Sequence, residues 1–218
     1  MSELVEQKKK KNTRQDIMEL AMKLYEDSDY DSIQMDELAA TLGISHGTVF
    51  YHFPTKQTLF YEIYNYHFCR NIEDNLLTLA TYGAMQKADF RAFMLYITQD
   101  MFDRHFNMLR LVKIHSMTLD KGVDIEKLKS SLTHSMQMYE HFIEELVKHV
   151  PFLQKPDLLQ LFSARSAIVI GYFYMVMEPK GIDGSLTRED MEKRRKIFRS
   201  KVMNTFGNYL DGRLMKID

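Results

Sequence analysis

The stretch that decides the fold is 38–56, which reads LAATLGISHGTVFYHFPTK. Gly43 ends a first short helix that begins near Met35, because glycine readily takes the left-handed conformation that follows a helix. Ser45 is a good cap for a second short helix, which Pro54 closes. Only three residues separate the two helices, so the sequence predicts a helix-turn-helix.

The second helix of this motif has two different faces. Val49 and Phe53 lie together on the helical wheel and are predicted to pack inward. Thr48, Tyr51 and His52 lie on another face, where neither charge nor bulk blocks approach. Their hydroxyl, phenol and imidazole groups are suited to hydrogen bonds with phosphates or base edges.

The distribution of charge supports an anionic partner, although the formal net charge is only -1. No Asp or Glu occurs within 38–61, Gly47 lets the first helical turn come close to a groove wall, and Lys56 follows the helix. Lysines at 8–11 and Arg14 make the N-terminus basic. Taken alone, the lysine run fits a solvated tail equally well.

Composition indicates a soluble, helical protein. Hydrophobic residues make up 45 % of 218 residues and charged residues 27 %, while 4 Pro and 9 Gly are too few for a strand-rich fold. The single cysteine, Cys69, cannot form an internal disulfide and suits a reducing cytoplasm. The N-terminus lacks an apolar signal core, and the longest apolar stretch, 167–177, is too short to span a bilayer. We therefore expect a cytoplasmic protein without membrane association.

The motif at 42–56, Leu-Gly-Ile-Ser-x-Gly-Thr-x-x-Tyr-His-Phe-x-x-Lys, resembles the signature of the TetR family of transcriptional regulators. The similarity extends over about 13–59. Three positions depart from the family's pattern. Asp29 stands where glycine is usual, Ile33 where a threonine usually helps to cap a helix, and Phe50 where tyrosine is frequent.

The resemblance implies which residues meet DNA. The helix at 46–53 would lie in the major groove as the recognition helix, with flanking residues on phosphates. The predicted DNA-binding residues are Ser45, His46, Gly47, Thr48, Phe50, Tyr51, His52 and Lys56.

The resemblance also implies an all-α fold, in which a three-helix DNA-binding domain precedes a larger helical domain for ligand binding and dimerisation. We expect a flexible basic arm at 1–11, the helix-turn-helix domain at 12–60 and the effector and dimerisation domain at 61–218. The first helix is predicted to run from about residue 12 to 28. Amphipathic periodicity predicts the later helices at about 55–81, 90–120 with a break near Phe106, 124–150, 156–178 and 187–214.

The function that follows is a regulator that binds double-stranded DNA and responds to a small molecule. A repressor that binds a palindromic operator as a homodimer and is released by an apolar or amphiphilic effector is the commoner arrangement in the family. The alternative is a nucleoid-associated or structural DNA-binding protein of the same fold without an effector. The sequence shows no nucleophile elbow, phosphate loop or zinc motif, so we expect neither an enzyme nor a bound cofactor.

Flexible thioethers and aromatic rings are suited to an adaptable effector pocket, although they also fill ordinary helical cores. The candidate pocket residues are Met94, Ile97, Met101, Phe102, His115, Met117, His134, Met138 and Phe142. His134, Met138 and His141 share one helical face, but two imidazoles and a thioether without a carboxylate or thiolate are a weak ligand set, so no metal site is predicted.

Two helical stripes are candidates for the dimer interface. Ser163, Ala167 and Gly171 recur every four residues and make a smooth face that permits close approach of another helix. An apolar stripe of matching length lies on the last helix and consists of Phe198, Val202, Phe206 and Leu210. The alternative is that these stripes pack within one subunit.

Overall fold

The computed structural model describes residues 2–114, 125–177 and 187–217. In this part of the chain the regular structure is entirely helical, which confirms the expected all-α class. The helices are α1 (Ser2–Asp27), α2 (Met35–Leu42), α3 (His46–His52), α4 (Lys56–Leu79), α5 (Lys87–Arg104), α6 (Phe106–Ile114), α7 (Ile125–His149), α8 (Lys155–Tyr172) and α9 (Arg188–Leu214). A single 3-10 turn, Tyr30–Ser32, precedes α2, and a π-helical turn, Phe173–Met177, continues α8.

Most predicted helix ends lie within a few residues of the observed ones, including the break at His105 between α5 and α6. The start of α1 is the main exception. The first helix was expected to begin near residue 12, whereas it begins at Ser2; the flexibility of segment 1–11 stays a prediction. That segment contains no proline or glycine, and its Lys, Glu, Gln and Leu residues favour helix, so nothing in it stops α1 before Asn12.

The chain forms two compact units, which are not consecutive in sequence. The first contains Met1–Cys69 and Arg110–Ser135, and the second contains Arg70–Leu109 and Met136–Asp218. The expected boundary at 60/61 falls inside α4, which is one uninterrupted helix. Periodicity marks the ends of helices and does not show which stretches of one helix belong to which unit.

The core of the first unit lies among α1, α2, α3 and the beginning of α4. Fully buried side chains from these helices include Ile17, Leu38, Val49, Phe53 and Phe60. Their burial fixes the angle between the two helices of the predicted helix-turn-helix, because each helix contributes an apolar face to the same core.

The end of α1 is held by the last turns of α6. Arg110 lies with its guanidinium carbon 4.1 Å from the centre of the Tyr25 ring. It donates hydrogen bonds to the carbonyl oxygens of Tyr25, Glu26 and Ser28. Leu111 is fully buried in the same core. Arg110 and Leu111, which follow the segment Arg70–Leu109 of the second unit, therefore complete the core of the first unit.

In the second unit α9 packs against α5 and α8. Arg91 of α5 makes a two-pronged ion pair with Asp211 of α9, with Nε–Oδ1 2.5 Å and Nη2–Oδ2 3.0 Å. The Phe198 ring of α9 lies edge-on to the rings of Phe102 and Phe173, at 5.2 and 5.7 Å between centres. The inward face of α9 is therefore part of the chain's own core.

The stretch Lys155–Met177, formed by α8 and its π-helical turn, is long and apolar enough by length and composition to cross a membrane, which is weak support for a membrane span. The chain buries only 28 % of the most apolar part of this stretch. Leu159, Ile170, Tyr174 and Met175 are among its exposed large side chains, and Met175 is 76 % exposed.

Candidate nucleic-acid interface

The turn between α2 and α3 has the geometry that its residues favour. Gly43 has φ +64° and ψ +30°, the left-handed conformation that a side chain disfavours. The backbone N–H of Ile44 donates to the carbonyl of Ala39 at 3.1 Å, which closes the end of α2. Ser45 then caps α3, since its Oγ accepts from the N–H of Thr48 at 3.1 Å. Gly43 therefore ends α2 and Ser45 caps α3, as the sequence predicts.

The inward face of α3 anchors the helix in the first unit. Val49 and Phe53 are fully buried, as the helical wheel predicts. Arg14 of α1 lies over the Phe53 ring at 5.0 Å and pairs with Glu62 of α4. Burial lowers the pKa of Arg14, yet a guanidinium stays charged at neutral pH.

The outward face of α3 carries the predicted base-reading residues. Ser45, His46 and Gly47 are exposed, and Tyr51 is 71 % exposed, so its phenol projects from the surface. A Cβ added at Gly47 would meet only Ser45 Oγ, at 3.8 Å, which leaves the first turn of α3 open. An open turn of this kind can approach a groove wall closely.

Thr48, Phe50 and His52 are only half-exposed, and several of the predicted contact residues already have partners. Thr48 Oγ1 shares a hydrogen bond of 2.8 Å with Ser45 Oγ. The His46 ring stacks on the half-exposed Phe50 ring at 4.3 Å and its Nδ1 pairs with the Asp36 carboxylate. His52 lies edge-on to Tyr51 at 5.2 Å between ring centres. Tyr51, at 71 % exposure, therefore projects from this surface, and its contact with a base edge stays a prediction.

The Asp36 contact was missed from sequence. Asp36 lies in the first turn of α2, two residues before the acid-free stretch 38–61 begins. Its carboxylate nevertheless reaches the first residue of α3. No spacing rule links these two positions, because α2 and α3 are brought together by packing around the turn.

Lys56 has an unexpected set of partners. Its Nζ donates to the carbonyl oxygens of Tyr30 at 2.9 Å, Ile33 at 3.1 Å and Asp31 at 3.4 Å. The same ammonium lies 4.4 Å from the centre of the Tyr30 ring. Desolvation lowers the pKa of Lys56, although the Asp31 carboxylate partly opposes that effect. The ammonium thus ties the 3-10 turn to the start of α4, and phosphate contact by Lys56 stays a prediction.

A cleft of about 540 Å³ lies within the first unit. Hydrogen bonds from Asn65 Nδ2 to the Tyr61 carbonyl (3.0 Å) and from Ser135 Oγ to Asn65 Oδ1 (3.2 Å) fix side chains around it. The lining residues are Arg14, Gln15, Met18, His52, Tyr61, Glu62, Asn65, Tyr66, Ser130, Ser131 and His134. Most of these lining residues carry a polar group, whereas the effector pocket expected from sequence was mainly apolar.

These features define the protein as a helix-turn-helix protein whose second helix, α3, has one face open to solvent. Residues 17–63 match the sequence model of the family described as bacterial regulatory proteins, tetR family. This match supports a DNA-binding transcriptional regulator of the TetR type, a family of regulators rather than enzymes. None of the curated proteins matches the chain.

The predicted effector residues do not form one group in the structure. Met94, Ile97, Met101, Phe102 and Phe142 are buried in the core of the second unit, and Met138 is half-buried there. His134 is exposed and lines the cleft of the first unit, apart from the others, and its role in effector binding stays a prediction. His115 and Met117 lie outside the described residues. Apolar pocket residues and core residues have the same composition, so sequence could not separate them.

The two predicted dimer stripes differ in their exposure to solvent. Ser163, Ala167 and Gly171 are exposed, and a Cβ added at Gly171 would meet nothing within 4 Å. The four members of the stripe on α9 are almost completely buried inside the subunit, which favours packing within one chain, and their part in a dimer interface stays a prediction. These members are Phe198, Val202, Phe206 and Leu210.

Proposed function

We propose that this regulator is a repressor that binds a palindromic operator as a homodimer and is released by a small-molecule effector. The observation that carries the DNA-reading part is α3 itself. It is capped by Ser45, anchored by Val49 and Phe53, and open to solvent at Gly47 and Tyr51. A rigid scaffold under an exposed polar face is what base readout requires.

A charge placed at Gly47 tests this reading of α3. The added Cβ has room, so Gly47→Glu is expected to fold, and its carboxylate would meet the phosphates. We expect operator affinity to fall by about tenfold or more, because like charges across an interface repel. Ala92→Glu is the control, since Ala92 is an exposed residue of α5 in the second unit. Wild-type affinity and specificity in folded Gly47→Glu would refute the assignment of α3.

Tyr51 offers a second, independent readout. Its exposed phenol supports direct contact with a base edge, whereas the Thr48 hydroxyl is already engaged by Ser45. Selection from random DNA by wild type and Tyr51→Ala should therefore give different consensus sequences. Identical consensus sequences with uniformly weaker binding would instead assign Tyr51 to the phosphate backbone.

The exposed face of α8 supports the homodimer. Small residues at 163, 167 and 171 lie beside the exposed Ile170 and Tyr174, a combination that permits close helix packing. Gln160 and Ser166 are also exposed on α8, and polar groups of this kind disfavour a lipid-facing surface. On α9, Ile197 is an exposed apolar side chain and a further candidate contact. A second copy of the chain would bury this apolar surface and supply a second recognition helix.

Gly171→Arg tests the interface. We expect a folded monomer with greatly weakened operator binding, measured by analytical ultracentrifugation and DNA titration. Gly83→Arg is the matched control, because a Cβ added at Gly83 also meets nothing within 4 Å. Gly83 lies in the turn before α5, so its variant should remain a dimer. A dimeric Gly171→Arg protein would remove this part of α8 from the interface.

One observation favours the alternative of a DNA-binding protein without an effector. The predicted pocket residues Met94, Ile97 and Phe102 are packed in the core. The effector in our proposal is supported instead by the buried guanidinium of Arg165 in the second unit, two of whose nitrogen atoms have no hydrogen-bond partner. Two results together would favour the alternative: DNA binding that no small molecule alters, and equal affinity for the operator and for random DNA.

A further inference from the structure

The core of the second unit contains a guanidinium that lacks a charged partner. Arg165 lies on α8 and is only 9 % exposed. Its Nε and Nη1 atoms are buried and have no hydrogen-bond partner, and no carboxylate among the described residues pairs with it. Burial lowers the pKa of Arg165 to about 10, so the side chain is still a cation at neutral pH.

One aromatic ring lies against this cation, and two more rings pack on the first. The guanidinium carbon lies 5.0 Å from the centre of the Phe162 ring. Phe142 and Tyr139 of α7 lie edge-on to that same ring, at 5.5 and 6.1 Å between centres. Tyr139 is half-buried, and burial raises the pKa of its phenol, while Arg165 opposes that shift. A neutral phenol and the face of a benzene ring compensate a buried cation only in part.

A buried cation of this kind is costly, because buried charges are normally paired or hydrogen-bonded. Aliphatic residues would fill the position more favourably if its role were only to pack. We propose that Arg165 is the anchor for an anionic effector, a small carboxylate whose apolar part lies against the rings of Phe142 and Phe162. The inference rests on the proposed response to a small molecule and names the chemical class of that molecule.

A carboxylate from a second copy of the chain is a poorer candidate for this partner. Ser163, Ala167 and Gly171 are exposed, whereas Arg165 is buried together with Leu161, on a different side of α8. Residues two apart on a helix point in directions about 160° to 200° apart. The proposed dimer face and the guanidinium therefore point away from each other.

The test compares wild type with Arg165→Met, which keeps a long apolar side chain and removes the charge. Acetate, benzoate and decanoate are each compared with ethanol, benzyl alcohol and 1-decanol by scanning calorimetry. We expect at least one carboxylate, at saturating concentration, to raise the wild-type Tm by about 5 °C. Its matched alcohol should give a much smaller shift, and Arg165→Met should lose the carboxylate-specific shift.

Arg70→Met is the control variant. Arg70 is exposed in the same unit and makes a surface ion pair with Glu73 at 2.8 Å, so its loss should leave the carboxylate response intact. Without ligand, Arg165→Met is expected to have a Tm equal to or above that of wild type, because it removes an uncompensated buried charge. A strongly destabilised Arg165→Met protein would show that the guanidinium is already satisfied, which overturns the inference.

The inference is also overturned if no carboxylate stabilises wild type, if the alcohols act equally, or if Arg165→Met keeps the response. Operator affinity is measured on the same samples without ligand. If wild type without ligand does not bind an operator, the proposed function is contradicted. Intact operator binding that responds to an alcohol but to no carboxylate would keep the proposed function and reject the anionic anchor.

Discussion

Replacing Lys56 with methionine separates two roles for this residue. Methionine keeps most of the alkyl stem and removes the ammonium. If Lys56 holds the 3-10 turn, the change should loosen the segment 30–38 in the absence of DNA. If Lys56 instead neutralises a phosphate, the free protein should be unaffected and only DNA binding should change.

The magnitude follows from the contacts of the ammonium. Hydrogen bonds to a charged donor contribute about 1.5–3 kcal/mol each, and a cation over an aromatic ring contributes about 0.5–1 kcal/mol. The bond to the Asp31 carbonyl, at 3.4 Å, is weak, and water can replace part of the others at this half-exposed site. We therefore expect a local loss of about 2 kcal/mol, which corresponds to about 30-fold faster opening of the segment.

Amide hydrogen exchange of residues 30–38 measures this opening directly. Lys23→Met is the control, because Lys23 is an exposed cation of α1 in the same unit. Unchanged exchange in Lys56→Met, together with a salt slope of operator binding reduced by about 0.9 for each Lys56 in contact with DNA, would refute the structural role.

Three further substitutions test the cap, a buried histidine and the core stripe. Ser45→Ala should lower the free energy of unfolding by about 1 kcal/mol in urea titrations, whereas Ser45→Asp should retain the cap; equal losses in both would exclude capping. Burial lowers the pKa of His105 below its usual 6.5, although the Asp74 hydrogen bond opposes this shift. The unfolded chain therefore takes up the proton first, so the contribution of His105 to stability is complete above pH 6.5 and declines as the pH falls through and below that value. His105→Asn should therefore reduce the fall of Tm with decreasing pH in this range. An unchanged dependence of Tm on pH would assign the acid sensitivity to other groups. Phe206→Ala should cost about 3–5 kcal/mol of unfolding free energy, because Phe206 is completely buried within the subunit; a stable but monomeric variant would instead return α9's stripe to the interface.

Local signals explain why the helix-turn-helix could be predicted from sequence. Gly43 needs the left-handed conformation, Ser45 bonds a residue three positions away, and Pro54 ends a helix by its own geometry. Each acts on neighbours in sequence. The family resemblance added the role of α3 as the recognition helix, which no local rule could supply.

What could not be predicted depends on contacts between distant residues. The three carbonyl partners of Lys56 lie 23 to 26 residues before it, and Asp36 reaches His46 across the turn. An apolar stripe has the same sequence pattern whether it faces the core of its own chain, as on α9, or a partner subunit. Arg165 resembles a surface residue by type, and only its burial within the fold reveals an unsatisfied cation.

The attachment of Arg110 and Leu111 to the first unit has a consequence for how the protein is made. Synthesis proceeds from the N-terminus, so α1 to α5 leave the ribosome before these two residues do. Until then the core around Ile17 lacks one fully buried leucine, and the carbonyls at the end of α1 lack their guanidinium. A nascent or truncated chain that stops at Cys69 contains every DNA-reading residue but not the complete support beneath them. We therefore expect competence to bind an operator to arise late in translation, when the second unit is already emerging.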